Sequence, residues 1–479
     1  VIDPDEIPGM VARMWLMHTQ ELARFDLIDD YVQGKLGRPD LPESADKEVR
    51  GIWSICVHNV LDVVVDTFAQ NLSVVGYRDE EAKQNAAGWD DWQRNKMDAR
   101  QAEIYLSALK YGVGYVTVTP SLDGPVFRPR SPRQLLALYE DPQVDDWPQY
   151  ALETWVDETD GKPRRKGNFF DDTYMYPVDL GESSTPPRDE DGKINRAAIT
   201  ISRSGIQDPI RHNAGVCPVV RYINRRDSEH LATGEVERLI VDQREINEVN
   251  FDRLIVARFG AFPQKVIAGW SGTKSEVLEA SARRVWAFDD ETVKAWTLQP
   301  ASVEPYNALL DEMKQHVALR AKLSPASVTG KMVNLSAEAL AAAEADQQRK
   351  LGTMRDSHGE SHEQLLGLSA KLKGDATTAG DQAAEVMWRD TEARSFAVMA
   401  DGILKIAQAI QAGAPIGPLL PLVPGLTQQM IAALEREMQK ASVTNLVSSI
   451  TAAAQQASQN SQVAALAGQK TPDDQSPAA

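Results

Sequence analysis

GEVERLIVDQREINEVNFDRLIVARFG, residues 234–260, has the spacing of one long helix of about 26 residues, about 39 Å from end to end. Its apolar positions Val236, Ile240, Ile246, Val249, Leu254 and Phe259 leave it heavily polar elsewhere. Gly260 and Pro263 stop it. A second amphipathic run follows at 306–323, with Tyr306, Leu309, Leu310, Met313 and Val317 on one face. Between the two, 264–300 reads as a small β-rich module. Two helices flanking a β insertion can pack antiparallel and make a stalk with a tip.

Upstream, helical spacing covers 8–36, 47–70 and 86–111. YGVGYVTVTP (111–120) then turns to strand character, and further strands are expected at 150–157, 168–176 and 216–223. DETDGKPRRKG (157–167) has turn composition, and 181–196 is a polar insertion. Downstream, PASVTGKMVNLSAEAL (325–340) is a polar loop entering an alanine-rich helix expected from about Ser336 to 371, interrupted by Gly352, Gly359 and Gly367. Helices are expected again at 381–412 and 427–441, with a proline-punctuated connector between them. The last 38 residues are of low complexity. The whole is an α+β chain, mainly α, whose 479 residues exceed one ordinary core.

The formal charge is −18, from 69 acidic and 51 basic residues. That excludes a surface gripping nucleic acid throughout, because such affinity comes from neutralising phosphates. Cys56 and Cys217 are far apart and make neither a disulfide framework nor a zinc pattern. VIDPDEIPGM lacks the features of a signal peptide, and no run of about 18 apolar residues would span a membrane.

No catalytic constellation emerges. GWSGTKS (269–275) places Gly272 two residues before Lys274, so it cannot form the phosphate cradle of a Walker loop. YGVGYV precedes a strand, whereas a dinucleotide fingerprint follows one. His358 and His362 would share a helix face and could hold a metal, but no third ligand is near in sequence; a solvated polar face is expected. Asp289, Asp290 and Glu291 read as an acidic turn, and Arg164, Arg165 and Lys166 as a solvated basic loop. Asn71 and Asn334 head glycosylation triplets with no secretion signal to support them. The tryptophans fall at helix or strand spacing and are expected in packing. No metal or cofactor is expected.

The order of these segments resembles the portal proteins of tailed bacteriophages, in particular long-tailed phages. WDDWQRNKMDARQAEIYLSALKYGVGYVTVTP (89–120) resembles the helix running into the first wing strand, and VCPVVRYINRRD (216–227) a second wing strand. VERLIVDQREINEVNFDRL (236–254) is similar to the first stem helix, with Asp and Asn marking a polar face. NLSAEALAAAEADQQRK (334–350) resembles the start of the long helix after the channel loop, with Ala337 and Ala341 where glycine and lysine are usual. VMWRDTEARSFAVMADGILKIAQA (386–409) is similar to the helical region near the crown.

The resemblance implies a wing at 1–233, stem helices at 234–261 and 306–324 around a clip at 262–305, and a channel loop at 325–336. A long helix at 337–375, crown helices at 376–441 and a disordered tail at 442–479 complete it. It further implies a ring, expected as a dodecamer, at one capsid vertex of the virion, assembled in the host cytoplasm. Double-stranded DNA would pass through it during packaging and ejection. The implied partners are the major capsid protein, scaffold protein, large terminase subunit and head–tail connector proteins, with no membrane and no enzymatic activity. Implied DNA contacts are Lys331, Asn334 and Thr329 in the channel loop; channel-facing stem candidates are Arg253 and Arg258. Trp270, Lys274 and Trp286 are the implied docking residues of the clip. The alternatives are a terminase-like packaging ATPase or nuclease, which needs the missing phosphate loop, and a helical virion scaffold or adaptor without a channel. A long, largely polar helix suits packing around a wet channel, and net negative walls suit a conduit that must not hold DNA tightly.

Overall fold

Helical spacing at the start of the chain is realised as α1 (Ile7–Val32). The single helix expected over 47–70 is two, α2 (Lys47–Ser54) and α3 (Leu61–Asn71). Their apolar spacing is continuous, so the break comes from tertiary hydrogen bonds described below. After β1 (Val74–Arg78), the expected helix 86–111 is also two, α4 (Ala86–Arg94) and α5 (Met97–Tyr111). Lys96, between them, takes a left-handed φ of 54°. Gly112 ends α5 at φ 91°, its N–H bonding the carbonyl of Ala108. A Cβ there would lie 2.6 Å from the backbone of Ala232 and Thr233, so only glycine fits.

The strands that follow are β2 (Val113–Thr119), β3 (Val126–Arg130), β4 (Leu135–Leu138) and β5 (Tyr150–Asp157). Then come β6 (Arg164–Phe170), β7 (Tyr174–Gly181), β8 (Ile210–Arg211) and β9 (Val219–Ile223). The expected strand 168–176 is therefore the end of β6, a turn and the start of β7. Asp171 makes the turn, its Oδ1 accepting the N–H groups of Thr173 and Tyr174. Arg164, Arg165 and Lys166, expected in a loop, lie in β6; Arg164 pairs with Asp179 at 2.7 Å and Lys166 with Asp157 at 2.5 Å.

A 3-10 turn at Glu237–Leu239 leads into α6 (Ile240–Gly260). The antiparallel pair β10 (Lys265–Ala268) and β11 (Lys294–Thr297) precedes α7 (Glu304–Ala321). A short α8 (Pro325–Thr329) occupies the start of the expected loop, with Pro325 in its first turn where a missing N–H costs nothing. The long α9 (Ala337–Lys373) is not interrupted at Gly352, Gly359 and Gly367 as expected but runs through all three, because its packing outweighs the modest helix cost of each glycine, and α10 (Ala376–Gly380) follows. The expected helix 381–412 is instead β12 (Glu385–Trp388) and then α11 (Phe396–Gln411). Pairing of β12 with β1 overrides its helical periodicity.

The computed structural model describes residues 2–79, 86–158, 161, 163–181, 205–229, 232–261, 265–268, 294–297, 301–330, 337–391, 396–413, 419 and 430. The polar insertion at 181–196 beyond Gly181, the acidic turn 289–291, the helix at 427–441 and the tail at 442–479, apart from Met430, lie outside the described residues. Contacts divide the chain into two units: Val1–Leu27, Val65–Glu235 and Val333–Ala479; and Ile28–Val64 with Val236–Met332.

The first unit is layered. The β4-β5-β6-β7-β8 sheet packs one face on α1, where Val11, Met14 and Trp15 meet Leu152, Phe169 and Val178. Its other face meets the β3-β2-β9 sheet through Leu135, Ala151 and Phe170 against Val113, Tyr115 and Val219. The far face of that second sheet, with Val116, Val118, Phe127 and Val220, packs on α4, α5 and α9 through Trp92, Ile104 and Leu365. β2 alternates residues between the two layers, as a strand buried on both faces must. The outer edge of β3 is blocked by side chains. Phe127 donates its N–H to Asn95 Oδ1 at 2.9 Å and accepts Arg100 Nη1 at 3.1 Å. Pro129 has no N–H to offer, and its carbonyl accepts Arg130 Nη1 at 3.1 Å.

Candidate functional site

The second unit is built on α6 and α7. Arg320 Nη2 donates to the carbonyl of Arg238 at 2.8 Å, Arg320 Nη1 bonds Asp242, and Arg253 Nη1 reaches Asn307 Oδ1 at 3.4 Å. Early positions of α6 meet late positions of α7, so the helices run antiparallel, as their spacing predicts. Asp242 is buried and also lies 3.5 Å from His316 Nδ1. One carboxylate thus ties two turns of α7 to α6.

The polar positions of α6 divide between two faces: Arg244, Glu245, Glu248 and Asp252 are exposed, as a wet face requires, whereas three amides are not. Gln243, Asn247 and Asn250 are at most 4% exposed. They face the broken backbone between α2 and α3. Asn247 Oδ1 accepts the N–H of His58, and its Nδ2 donates to the carbonyl of Gly37, both at 2.9 Å. Gln243 Oε1 accepts the N–H of Val60 and its Nε2 donates to His58 O and to Asn247 Oδ1. Asn250 Nδ2 donates to Cys56 O at 2.7 Å. A helix break exposes backbone donors and acceptors, and leaving them unpaired in a buried place would cost about 1–3 kcal/mol each. The three amides satisfy them. Their i, i+4, i+7 spacing in the sequence was the available signal. Burial there lowers the His58 pKa, with Lys314 and Arg253 adding to the effect, so the imidazole stays neutral between two cations.

Of the expected DNA contacts, Thr329 ends α8 and donates its hydroxyl to the carbonyl of Pro325 at 2.9 Å. Gly330 follows at φ 67°. Lys331 and Asn334, and the clip candidates Trp270, Lys274 and Trp286, lie outside the described residues. Arg253 is half-buried against Asn307, whereas Arg258 is exposed in the last turn of α6, where a cation complements the helix dipole.

His358 and His362, in the first unit, depart from the solvated face expected of them: both are fully buried on α9. Tyr105 donates its hydroxyl to Gln101 Oε1 at 3.0 Å, so it accepts from His362 Nε2 at 2.8 Å. Tyr222 then donates to His362 Nδ1 at 3.0 Å. This fixes the neutral Nε2–H tautomer. His358 has no hydrogen bond to either nitrogen and packs on Tyr105 and Tyr222. Burial, with Arg226 adding to it, pushes the His358 pKa down to about 4, and burial holds His362 well below the usual range. Beside them Glu363 is raised to about 7, chiefly by burial and by Glu360 and Glu385, against the N–H of Val386 that bonds it. Among the described residues no three His, Cys, Asp or Glu side chains cluster to hold a metal. None of the described helices is long and apolar enough to cross a membrane.

The second unit is thus an antiparallel helix pair with an antiparallel strand pair between its helices in the chain, and the first is a layered body of sheets and helices. Residues 13–443 match the family described as phage portal protein, SPP1 Gp6-like, and the chain belongs to that family. It is similar to the portal proteins of Mycobacterium phages D29 and L5, each 24% identical over 367 residues, covering 71% of this chain and 70% of the relative. Solved structures of gene transfer agent particles are also similar. A chain of the native virion covers 83% of this chain and 99% of its own at 11% identity and a TM-score of 0.41. A chain of the native neck computed with C12 symmetry covers 80% and 98% at 11% identity and a TM-score of 0.43.

Proposed function

We propose that this portal chain assembles as a homo-oligomeric ring, a dodecamer, at one capsid vertex of the virion, and that double-stranded DNA is packaged and ejected through its channel. The single observation that carries the reading is the antiparallel α6–α7 pair, locked by Asp242 and Arg320, that precedes α8 and Gly330. The pair is the stem in this reading, and the segment after Gly330 is the channel loop leading to α9. In this reading Lys331, Asn334 and Thr329 make weak, transient phosphate contacts, and Arg253 and Arg258 face the channel from the stem. Trp270, Lys274 and Trp286 on the clip dock the large terminase subunit and later the head–tail connector. The major capsid and scaffold proteins surround the ring, which is assembled in the host cytoplasm and does no chemistry of its own. The net charge of −18 supports this, because a negative wall repels phosphates and keeps DNA from sticking.

Electron microscopy of the purified chain tests the reading: rings with a central hole are expected, and rods or monomers would overturn it. Lys331→Glu is expected to impair packaging or retention of DNA in infected cells while rings still form. Unchanged packaging and retention would remove Lys331 from the DNA path.

A further inference from the structure

We propose that a cleft between the two sheets of the first unit receives an acidic loop of a neighbouring copy of this chain. The inference rests on the ring reading and names the contact by which one subunit holds the next.

The cleft lies where the layer between the sheets opens, and has a volume of about 480 Å³. Phe170 and Met175 line it on the apolar side, and Trp155 and Ile210 are 40% and 50% exposed there. Exposed aromatic and aliphatic side chains around a concavity are characteristic of an interaction site. Two arginines enter it from β3. Arg130 is neutralised by the buried carboxylate of Glu153. Arg128 bonds only the hydroxyl of Thr119 and has no carboxylate partner among the described residues. The cleft therefore asks for an apolar side chain next to a negative charge.

The loop between β4 and β5 offers that combination. EDPQVDDW (140–147) carries Glu140, Asp141, Asp145 and Asp146, and Val144 stands 76% exposed among them. Among the described residues no lysine or arginine pairs with these carboxylates. The loop is already shaped for docking. Asp141 N–H donates to Asp145 Oδ2 at 2.7 Å, and Gln143 N–H to Asp141 Oδ1 at 3.0 Å. Arg221 Nη2 holds the carbonyl of Pro142 at 2.9 Å, and Gln364 Nε2 that of Asp146 at 2.7 Å. Little ordering entropy remains to be lost on binding.

Topology puts the two surfaces on opposite edges of one sheet. Arg128 belongs to β3 and Arg221, which anchors the loop, to β9, with β2 between them. With the two surfaces on opposite edges, a copy whose loop fills one neighbour's cleft keeps its own cleft open for another neighbour, the head-to-tail arrangement by which identical chains close a ring. Loop against loop would oppose four carboxylates on each side.

Cross-linking tests this. Val144→Cys and Ile210→Cys are combined in the full chain; the native Cys56 and Cys217 are buried and do not compete. Under mild oxidation the double variant should give a ladder of multimers on a non-reducing gel, and each single variant only monomer. A dimer from Val144→Cys alone would overturn the head-to-tail contact. Rings seen by microscopy without a ladder would overturn the contact and leave the ring reading standing, with the cleft facing another partner. Absence of both would overturn both. As a second measurement, Arg128→Glu or Asp146→Lys alone should weaken association by at least about tenfold in light scattering, and the two together should restore it. No rescue in the double variant would sink the pairing.

Discussion

The Oδ1 atom of Asn247 accepts the backbone N–H of His58 at 2.9 Å, although 189 positions separate them in the chain. Its Nδ2 holds Gly37 at the same distance. Asn247→Ala removes both, and the Gln243 contact, from a fully buried place. A loss of about 2–3 kcal/mol is expected in denaturant unfolding. Hydrogen exchange at the His58 amide should accelerate by a larger factor than at α7.

Asp242→Asn leaves the side chain its shape and removes its charge. With Arg320 and His316 both directed at that carboxylate, about 1–3 kcal/mol should be lost. A double-mutant cycle with Arg320→Ala checks the assignment, because the second substitution should then cost much less than it does alone.

His358 sets an acid limit. Its folded pKa of about 4 is below its ordinary value of 6.5, so the folded chain resists a proton that the unfolded chain accepts. Stability from this group is complete above pH 6.5 and is lost as pH falls from there toward 4. The loss is on the order of 3 kcal/mol, and His362 acts in the same direction. His358→Phe keeps an aromatic ring among Tyr105 and Tyr222 without unpaired nitrogens. Melting temperature against pH should flatten below 6.5 in that variant and be unchanged or higher at neutral pH.

Glu363 acts in the opposite sense. Its pKa is raised from 4.5 to about 7, so the folded chain keeps a proton that the unfolded chain gives up, and stability falls as pH rises through that interval. Glu363→Gln should raise the melting temperature at pH 8 and change little at pH 4.5. An equal shift at both would assign the effect to packing.

Gly112→Ala forces a side chain onto the backbone of Ala232 and Thr233 at a left-handed φ. Neither neighbour is a side-chain tip that can swing away. A loss of more than about 2 kcal/mol and a sharply reduced yield of folded chain are expected.

The long helices and the strands β10 and β11 between α6 and α7 were legible because their periodicity agrees with the tertiary contacts. Three kinds of residue were not. Residues 55–60 carry no glycine or proline, and their helical spacing runs on; the break there is held by amides on α6, nearly two hundred positions away, and by Asn59, whose Oδ1 accepts the N–H of Leu61 at the start of α3. Glu385–Trp388 looks helical until β1 is placed beside it. His358 and His362 look like a polar face because sequence periodicity does not reveal that α9 lies under sheet, helix and strand at once. Thr329, expected in a loop, closes a short helix instead, because Pro325 starts a turn that Gly330 ends.

The closed edge of β3 has a bearing on how such a chain survives being made in many copies. Asn95, Arg100 and Pro129 occupy the groups through which one strand recruits another. Nascent subunits crowded together in a cell therefore have no template on that side for runaway sheet growth, and molecules can meet repeatedly without seeding fibrils.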